Sequence, residues 1–438
     1  WIDGVYKGRI VKSSDATSAN FFEFGKGSVN PQTDIHLDYI AFDFSGMYKP
    51  TVNLLEEPDY IRKDMSNDLD LDGSVYPTKA GWSVYINPPP SIGYLFENNY
   101  HSESTIQNLT SEVSSVYVPI AADDWQYAHH PSIAYFKNKF VAIFSNGRYG
   151  EDESAQRVLT STSIDANTWS NPQVLVDTDQ NHVLTPGGLF VANDNLLVTY
   201  YTINDYDENQ QYLNPKLLAM KSTDGVNWSE PIDLGISLFA SHAPINTGEG
   251  KLLITGNKKI YSTSSLDGLS GWKLTENTPL NDSDVGKAGL VEGAFIIRSD
   301  SLYILYRDVI GKTFLWQQSS LNGEEWGVPK KTRFTNCNTK SHFGQLPDGR
   351  YYYVGTPDTL DLGARYPLIL TVSNNGFVFN KNYVISDSFY QIKFPYGRWK
   401  GGQFGYPYSI IHDEHLYVIV SRRKEKIEVY KIPLSQLC

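Results

Sequence analysis

The sequence has 438 residues, of which 40% are hydrophobic, 20% charged and 13% aromatic, with 34 Gly and 22 Pro. That balance excludes a disordered chain, a collagen and a coiled coil, and no run approaches the roughly 18 apolar residues of a membrane-crossing helix. The 49 acidic against 37 basic residues leave a net charge of −12; the excess repels phosphate backbones and argues against nucleic acid as a partner, while a local basic cluster still has room for an anionic sugar.

In chain order, the first 120 residues hold strand-like runs at 36–44 and 82–86, separated by an acidic loop in which Asp68, Asp70 and Asp72 alternate ahead of Gly73. The alternation suits calcium, but the run lacks the closing bidentate Glu of an EF-hand, so a solvated loop is the favoured reading. Structural calcium is the one cofactor left open, and none is required. From about residue 120 a short pattern recurs: Ser163-Ile-Asp165-Ala-Asn-Thr-Trp169, Ser222-Thr-Asp224-Gly-Val-Asn-Trp228, Ser265-Leu-Asp267-Gly-Leu-Ser-Gly-Trp272, Ser320-Leu-Asn322-Gly-Glu-Glu-Trp326 and Ser373-Asn-Asn375-Gly-Phe-Val-Phe379. Asp or Asn with Gly supplies a hairpin turn, and the acidic or amide side chain bonds the turn backbone. The five copies resemble the Asp-box of sialidase-type propellers.

A second register runs in step with the first, at His130-Pro-Ser-Ile, Pro186-Gly-Gly-Leu, His242-Ala-Pro-Ile, Glu292-Gly-Ala-Phe, His342-Phe-Gly-Gln and Tyr406-Pro-Tyr-Ser. Each is followed by alternating strands with short polar connections, and helical periodicity is nearly absent. Two registers with a period of about 50–60 residues predict an all-β propeller. Six blades are visible after residue 120, and residues 1–120 are read as an irregular seventh. The expectation is therefore one seven-bladed domain over residues 1–438, closed by pairing an N-terminal strand with the C-terminal run Lys426-Ile-Glu-Val-Tyr430. Cys337 and Cys438 form neither a zinc framework nor a disulfide scaffold.

Function enters through a further resemblance. The segments His129-His-Pro-Ser-Ile, Phe144-Ser-Asn-Gly, Glu151-Asp152, Gln156-Arg-Val, Leu346-Pro-Asp-Gly-Arg350 and Gly405-Tyr-Pro-Tyr-Ser-Ile-Ile-His-Asp413 are similar to seven-bladed propellers that include ulvan lyases. Related glycoside hydrolases release L-rhamnose from glucuronate. For a lyase, the resemblance implies catalysis by His130 with Tyr200 or Tyr201, and a cation at Lys216; the family's second His falls on Gly150. For a hydrolase it implies a single His near the N-terminal blade, and His36 is the only His in the first 100 residues. An imidazole can serve as both acid and base near neutral pH.

His242 and His342 share the register of His130 and are expected to bind substrate with Tyr201 and Lys216. The leading expectation is thus release of α-L-rhamnose from glucuronic acid in complex glycans, with a polysaccharide lyase second and a non-catalytic glycan-binding propeller third. A sialidase ranks lower, because the early Phe/Tyr-Arg-Ile-Pro motif is missing. The expected partner is an acidic oligo- or polysaccharide, the expected state a monomer, and the expected location periplasmic or secreted.

Overall fold

The computed structural model describes residues 96–437 apart from 101–105, 120–124, 207–212, 258, 277–288 and 299–300, and before these only the strands Tyr39–Phe42, Ile61–Asp64, Val75–Pro77 and Ser83–Tyr85. The chain divides into two units, Trp1–Tyr94 and Leu95–Cys438. In the first unit, Tyr39–Phe42 pairs antiparallel with Ile61–Asp64, and Val75–Pro77 with Ser83–Tyr85. His36 and the aspartates of the calcium-like loop, Asp68, Asp70 and Asp72, lie outside the described residues.

The second unit is all-β and propeller-like, with six sheets of four to six strands. Their first strands are Tyr127–Phe136, His182–Asn193, Ile245–Asn246, Leu290–Ile297, His342–Gln345 and Phe404–His412. Six apolar clusters each join two successive sheets. The last sheet closes onto the first, through Ile419, Ile427 and Val429 against Ile133, Ala142 and Phe144. The ring therefore closes with six blades among the described residues, and the seventh expected from residues 1–120 is not one of them. Residues 95–120 instead lend single strands to finished blades: Glu97–Asn98 to the fourth, Gln107–Asn108 to the fifth and Glu112–Tyr117 to the sixth. A lone strand has no hairpin partner, and pairing with an outer edge satisfies its backbone while covering that edge. Glu112–Tyr117 lies antiparallel to Lys426–Pro433, the closure the sequence led us to expect. Among the described residues no helix is long and apolar enough to cross a membrane.

The Asp-boxes form the turns between third and fourth strands. In the first, Asp165 Oδ1 accepts from Ser163 Oγ at 2.9 Å and from the N–H groups of Asn167 and Thr168, both at 2.8 Å. The following residue takes a left-handed backbone in every copy, with φ 59° at Ala166 and 69–76° at the glycines of the other four. That conformation favours Gly for steric reasons. Three of the four indoles cap their own turns: Trp169 Nε1 donates to Ala166 O at 3.2 Å, Trp272 Nε1 to Gly268 O at 3.0 Å and Trp326 Nε1 to Gly323 O at 3.3 Å.

The second register is a backbone device of another kind. Strand pairing slips between His129 and Ser132, Pro186 and Gly188, Val291 and Ala294, and Gly405 and Tyr408. These are β-bulges, which bend a strand and re-aim a side chain. His130, Glu292 and Tyr406 sit in them at φ 51°, 54° and 54°. Non-glycine residues held there are strained, and such strain gathers at functional sites. Because Tyr127 faces Gly147, Leu290 faces Asp308 and Phe404 faces Arg422, first strands begin where second strands end. Bulges and second-to-third-strand loops thus share one face of the ring.

Candidate active site

Three bulges and the loops beside them bring together a charged, largely buried cluster. Tyr406, on the sixth blade, donates its hydroxyl hydrogen to Glu292 Oε1 on the fourth. Arg307, at the end of the neighbouring second strand, reaches Glu292 Oε2 at 2.6 Å and the Tyr406 hydroxyl at 3.0 Å through one nitrogen. Lys340 Nζ lies 5.0 Å from the Tyr406 ring centre and the Arg365 guanidinium 5.8 Å from it. Burial first, and then the Glu292 charge, hold the Tyr406 phenol well above its ordinary pKa. The group is a neutral hydroxyl with a carboxylate ready to take its proton.

A second carboxylate comes from the first blade. Glu151 Oε1 is 3.3 Å from His130 Nε2 and 3.6 Å from His129 Nε2, while Lys424 Nζ pairs with Oε2. The other imidazole nitrogens are fixed by hydroxyls: His129 Nδ1 lies 2.6 Å from Ser421 Oγ, and His130 Nδ1 lies 3.0 Å from Ser145 Oγ. Burial, followed for His129 by His130 and Lys424 and for His130 by Lys340 and Lys424, pushes both imidazoles well below the usual range. Both are neutral at physiological pH. His129, His130 and Glu151 offer ligand atoms within 4.8 Å of one another, a set with the chemistry of a zinc site. The ammonium on the second Glu151 oxygen argues otherwise. Lys340, Lys424, Arg307 and Arg365 outnumber the two carboxylates, and this surplus suits an anion better than a divalent cation.

Beside this cluster lies a cavity with about 180 Å³ of empty space, walled by His130, Ser241, His242, Lys340 and Tyr408 among others. Lys340 Nζ bonds Ser241 O at 2.6 Å, and burial lowers its pKa to about 8. His242 Nε2 donates to Ser341 O at 3.1 Å. His342 Nδ1 lies 2.7 Å from Ser409 Oγ, and the ring packs 4.3 Å from Tyr408. His130 and His242 are therefore brought to one cavity, with the His342 ring 5.5 Å from that of His242.

Three other expected residues are not. Tyr200 is buried in the core between second and third blades, and its hydroxyl donates to Gly268 O, inside an Asp-box, at 3.1 Å. Tyr201 packs in the core between first and second blades. Lys216 is exposed on the third strand Leu213–Ser222, opposite Ile203. Strands alternate sides and third strands lie away from the axis, so proximity in sequence did not carry these residues to the channel. Gly150 has no room for the lyase-type histidine: a Cβ there would stand 2.1 Å from Arg398 N.

Residues 138–418 match the BNR repeat-like domain. The chain belongs to that family. Among solved structures this BNR repeat-like chain is similar to a protein of unknown function from Dyadobacter fermentans, with TM-score 0.56 and 12% identity over 75% of this chain and 100% of that one. It is also similar to a Trypanosoma rangeli sialidase in complex with sialic acid, with TM-score 0.53 and 15% identity over 76% of this chain and 60% of the other. A further sialidase matches at TM-score 0.53 and 14% identity, over 75% of this chain; the match spans only 33% of that sialidase's length. At such identities the likeness concerns the fold alone. No curated protein matches the sequence.

The BNR repeats also show what the sequence reading passed over. Glu292 and Tyr406 stand in the second register, where the other blades carry His130, Pro186, His242 and His342, and that departure was the available signal. Arg307, Lys340, Arg365, Lys424 and Glu151 belong to no repeated motif. Only the ring brings them together.

Proposed function

We propose that this BNR repeat-like protein is a carbohydrate-active glycoside hydrolase, with Tyr406 as nucleophile and Glu292 as its base, acting on a sugar that bears a carboxylate. The observation that carries this reading is the three-way contact of Tyr406, Glu292 and Arg307, which has the parts of an activated nucleophile. Attack by a phenol with a raised pKa requires its proton to leave during the step, and Glu292 Oε1 already holds that hydrogen bond. Arg307 stabilises the charge that then develops. A carboxylate nucleophile would be repelled by a carboxylate on the reacting sugar, whereas a neutral phenol is not. Tyrosine nucleophiles are the known exception to the two-carboxylate glycosidase scheme, in sialidases. Arg365 and Lys340 supply the cationic wall for the substrate's acid group. Glu151, in contact with His130 and paired with Lys424, is the second carboxylate of the cluster, and the departing oxygen takes its proton from solvent.

This reading favours an acidic reacting sugar over the neutral α-L-rhamnose first expected. A rhamnose cap on glucuronic acid would put the carboxylate on the leaving side, where a neutral nucleophile has no advantage. A second reading has its own support. Neutral His130 lies 5.2 Å, ring centre to ring centre, from Tyr406, a base and acid pair suited to β-elimination of a uronate, with Tyr406 in the place assigned to Tyr200. The test offers 4-methylumbelliferyl glycosides of N-acetylneuraminic acid, glucuronic acid and α-L-rhamnose, and follows absorbance near 235 nm on ulvan. Fluorescence from an acidic glycoside that disappears in Tyr406→Phe is the expected result. Release from the rhamnoside alone, or an unsaturated uronate signal, would overturn it.

A further inference from the structure

Residues 387–402 join the fifth blade to the sixth and arrive at the face that carries the site. The segment is held from beneath. The buried Glu425 carboxylate accepts the N–H groups of Lys393 at 3.0 Å and Phe394 at 2.8 Å, and Lys400 Nζ lies 3.4 Å from it. Lys400 also donates to Gln126 O at 3.1 Å and Phe394 O at 2.9 Å. On this fixed base Tyr396 and Trp399 are 77% and 64% exposed, and Trp399 has a φ of 58°. Exposed aromatic rings on so well anchored a backbone are available for contact with little main-chain ordering cost.

The segment also touches the site's own scaffold. A Cβ on Gly397 would stand 2.3 Å from the Tyr149 carbonyl carbon, so the two backbones are in direct contact. The Glu151 N–H donates to Arg398 O at 3.2 Å. Tyr149, 43% exposed, lies two residues from Glu151. The backbone that carries Tyr396 and Trp399 thus lies against the loop that carries Tyr149 and delivers the site's second carboxylate.

We propose that Tyr149, Tyr396 and Trp399 form a sugar-binding platform outside the reaction cavity, stacking pyranose units of an oligo- or polysaccharide that continues beyond the reacting residue. A glycan longer than the reacting residue extends past the site, and its outer units cross the rim. Pyranose rings present apolar C–H faces with hydroxyl edges, which suits separated aromatic rings such as Tyr396 and Trp399, with Gly397 and Arg398 between them in the chain; a continuous apolar patch would suit a protein partner better. The proposal rests on the carbohydrate reading of the adjoining site and is independent of which bond is cleaved.

The test is affinity electrophoresis of the folded full chain through native gels containing gum arabic, ulvan or colominic acid. The Tyr406→Phe background keeps the gel polymer intact. At least one polymer is expected to retard the protein. Tyr396→Ala/Trp399→Ala, with an unchanged melting temperature, should weaken that retardation about tenfold, a loss of about 1.4 kcal/mol in binding. In the active protein the same pair should lower the ratio of polymer to monosaccharide-glycoside kcat/KM. Absence of retardation in all three gels, or equal retardation of the double variant, would overturn the platform. Failure of the hydrolase reading has a separate signature: no Tyr406-dependent hydrolysis, with aromatic-dependent retardation intact.

Discussion

The two faces of the ring solve opposite problems. Third strands end where second strands begin, as Ser163 opposite Phe140 shows, so the Asp-boxes lie on the face away from the site. There the chain repeats one solution five times, with the serine hydroxyl 2.7–3.2 Å from the acidic or amide oxygen in every copy. On the site face the corresponding backbone device, the bulge, carries His130, Gly188, Glu292 and Tyr406 in turn. Where one geometric need recurs, the residues recur. Where the backbone recurs and the residues change, chemistry is the better explanation. The Asp-box face should thus answer to stability measurements and the bulge face to activity measurements.

The sharpest way to break this division is Tyr406→Phe. It keeps the ring and removes the hydroxyl, so hydrolysis of an acidic glycoside should fall by about 10³-fold or more, and Glu292→Gln should cost about 10²–10⁴-fold. Melting temperatures should move by only a few degrees, checked by calorimetry. On the other face, Trp326 is almost fully buried in the core between third and fourth blades. Trp326→Ala should destabilise by about 3–5 kcal/mol in urea unfolding, while kcat at a permissive temperature stays near that of the native chain.

Acid should separate the faces as well. His129, His130, His242 and His342 are held neutral, His342 down to about 3, by burial first. The unfolded chain binds protons on these groups near pH 6.5 and the folded chain does not, so stability falls as pH drops below about 6.5. For His342 the loss should continue down to about pH 3. Asp165 and Asp224 have lowered pKa values chiefly through backbone N–H bonds in their turns. Their contribution is present above the ordinary carboxylate pKa and is lost only below about pH 4. His342→Gln should flatten the upper limb alone, read from urea midpoints against pH.

Two smaller effects sharpen the comparison. Lys340 loses its charge as pH rises through about 8, so KM for an acidic glycoside should climb above that pH, and Lys340→Arg should move the rise upward. Ala166 occupies the left-handed position that glycine holds in the other four Asp-boxes. Ala166→Gly should stabilise by about 0.5–1 kcal/mol, since relief of the backbone strain of order 1–2 kcal/mol is partly offset by the added freedom of the unfolded chain.

The sequence by itself determined the five Asp-box turns, the six inner-strand positions and the C-terminal closing strand, because each depends on local turn chemistry or on the alternation of a single strand. It also pointed to His130, His242 and His342, which share one register. Among the described residues the tertiary structure decided how the blades close, because ring size depends on how apolar faces of successive sheets meet. The same packing shows that Tyr200 and Tyr201 are core residues and that Lys216 faces outward. It alone joined Glu292 to Arg307 and Tyr406, 114 residues apart at the extremes, since the closed ring, not a local motif, makes those strands neighbours.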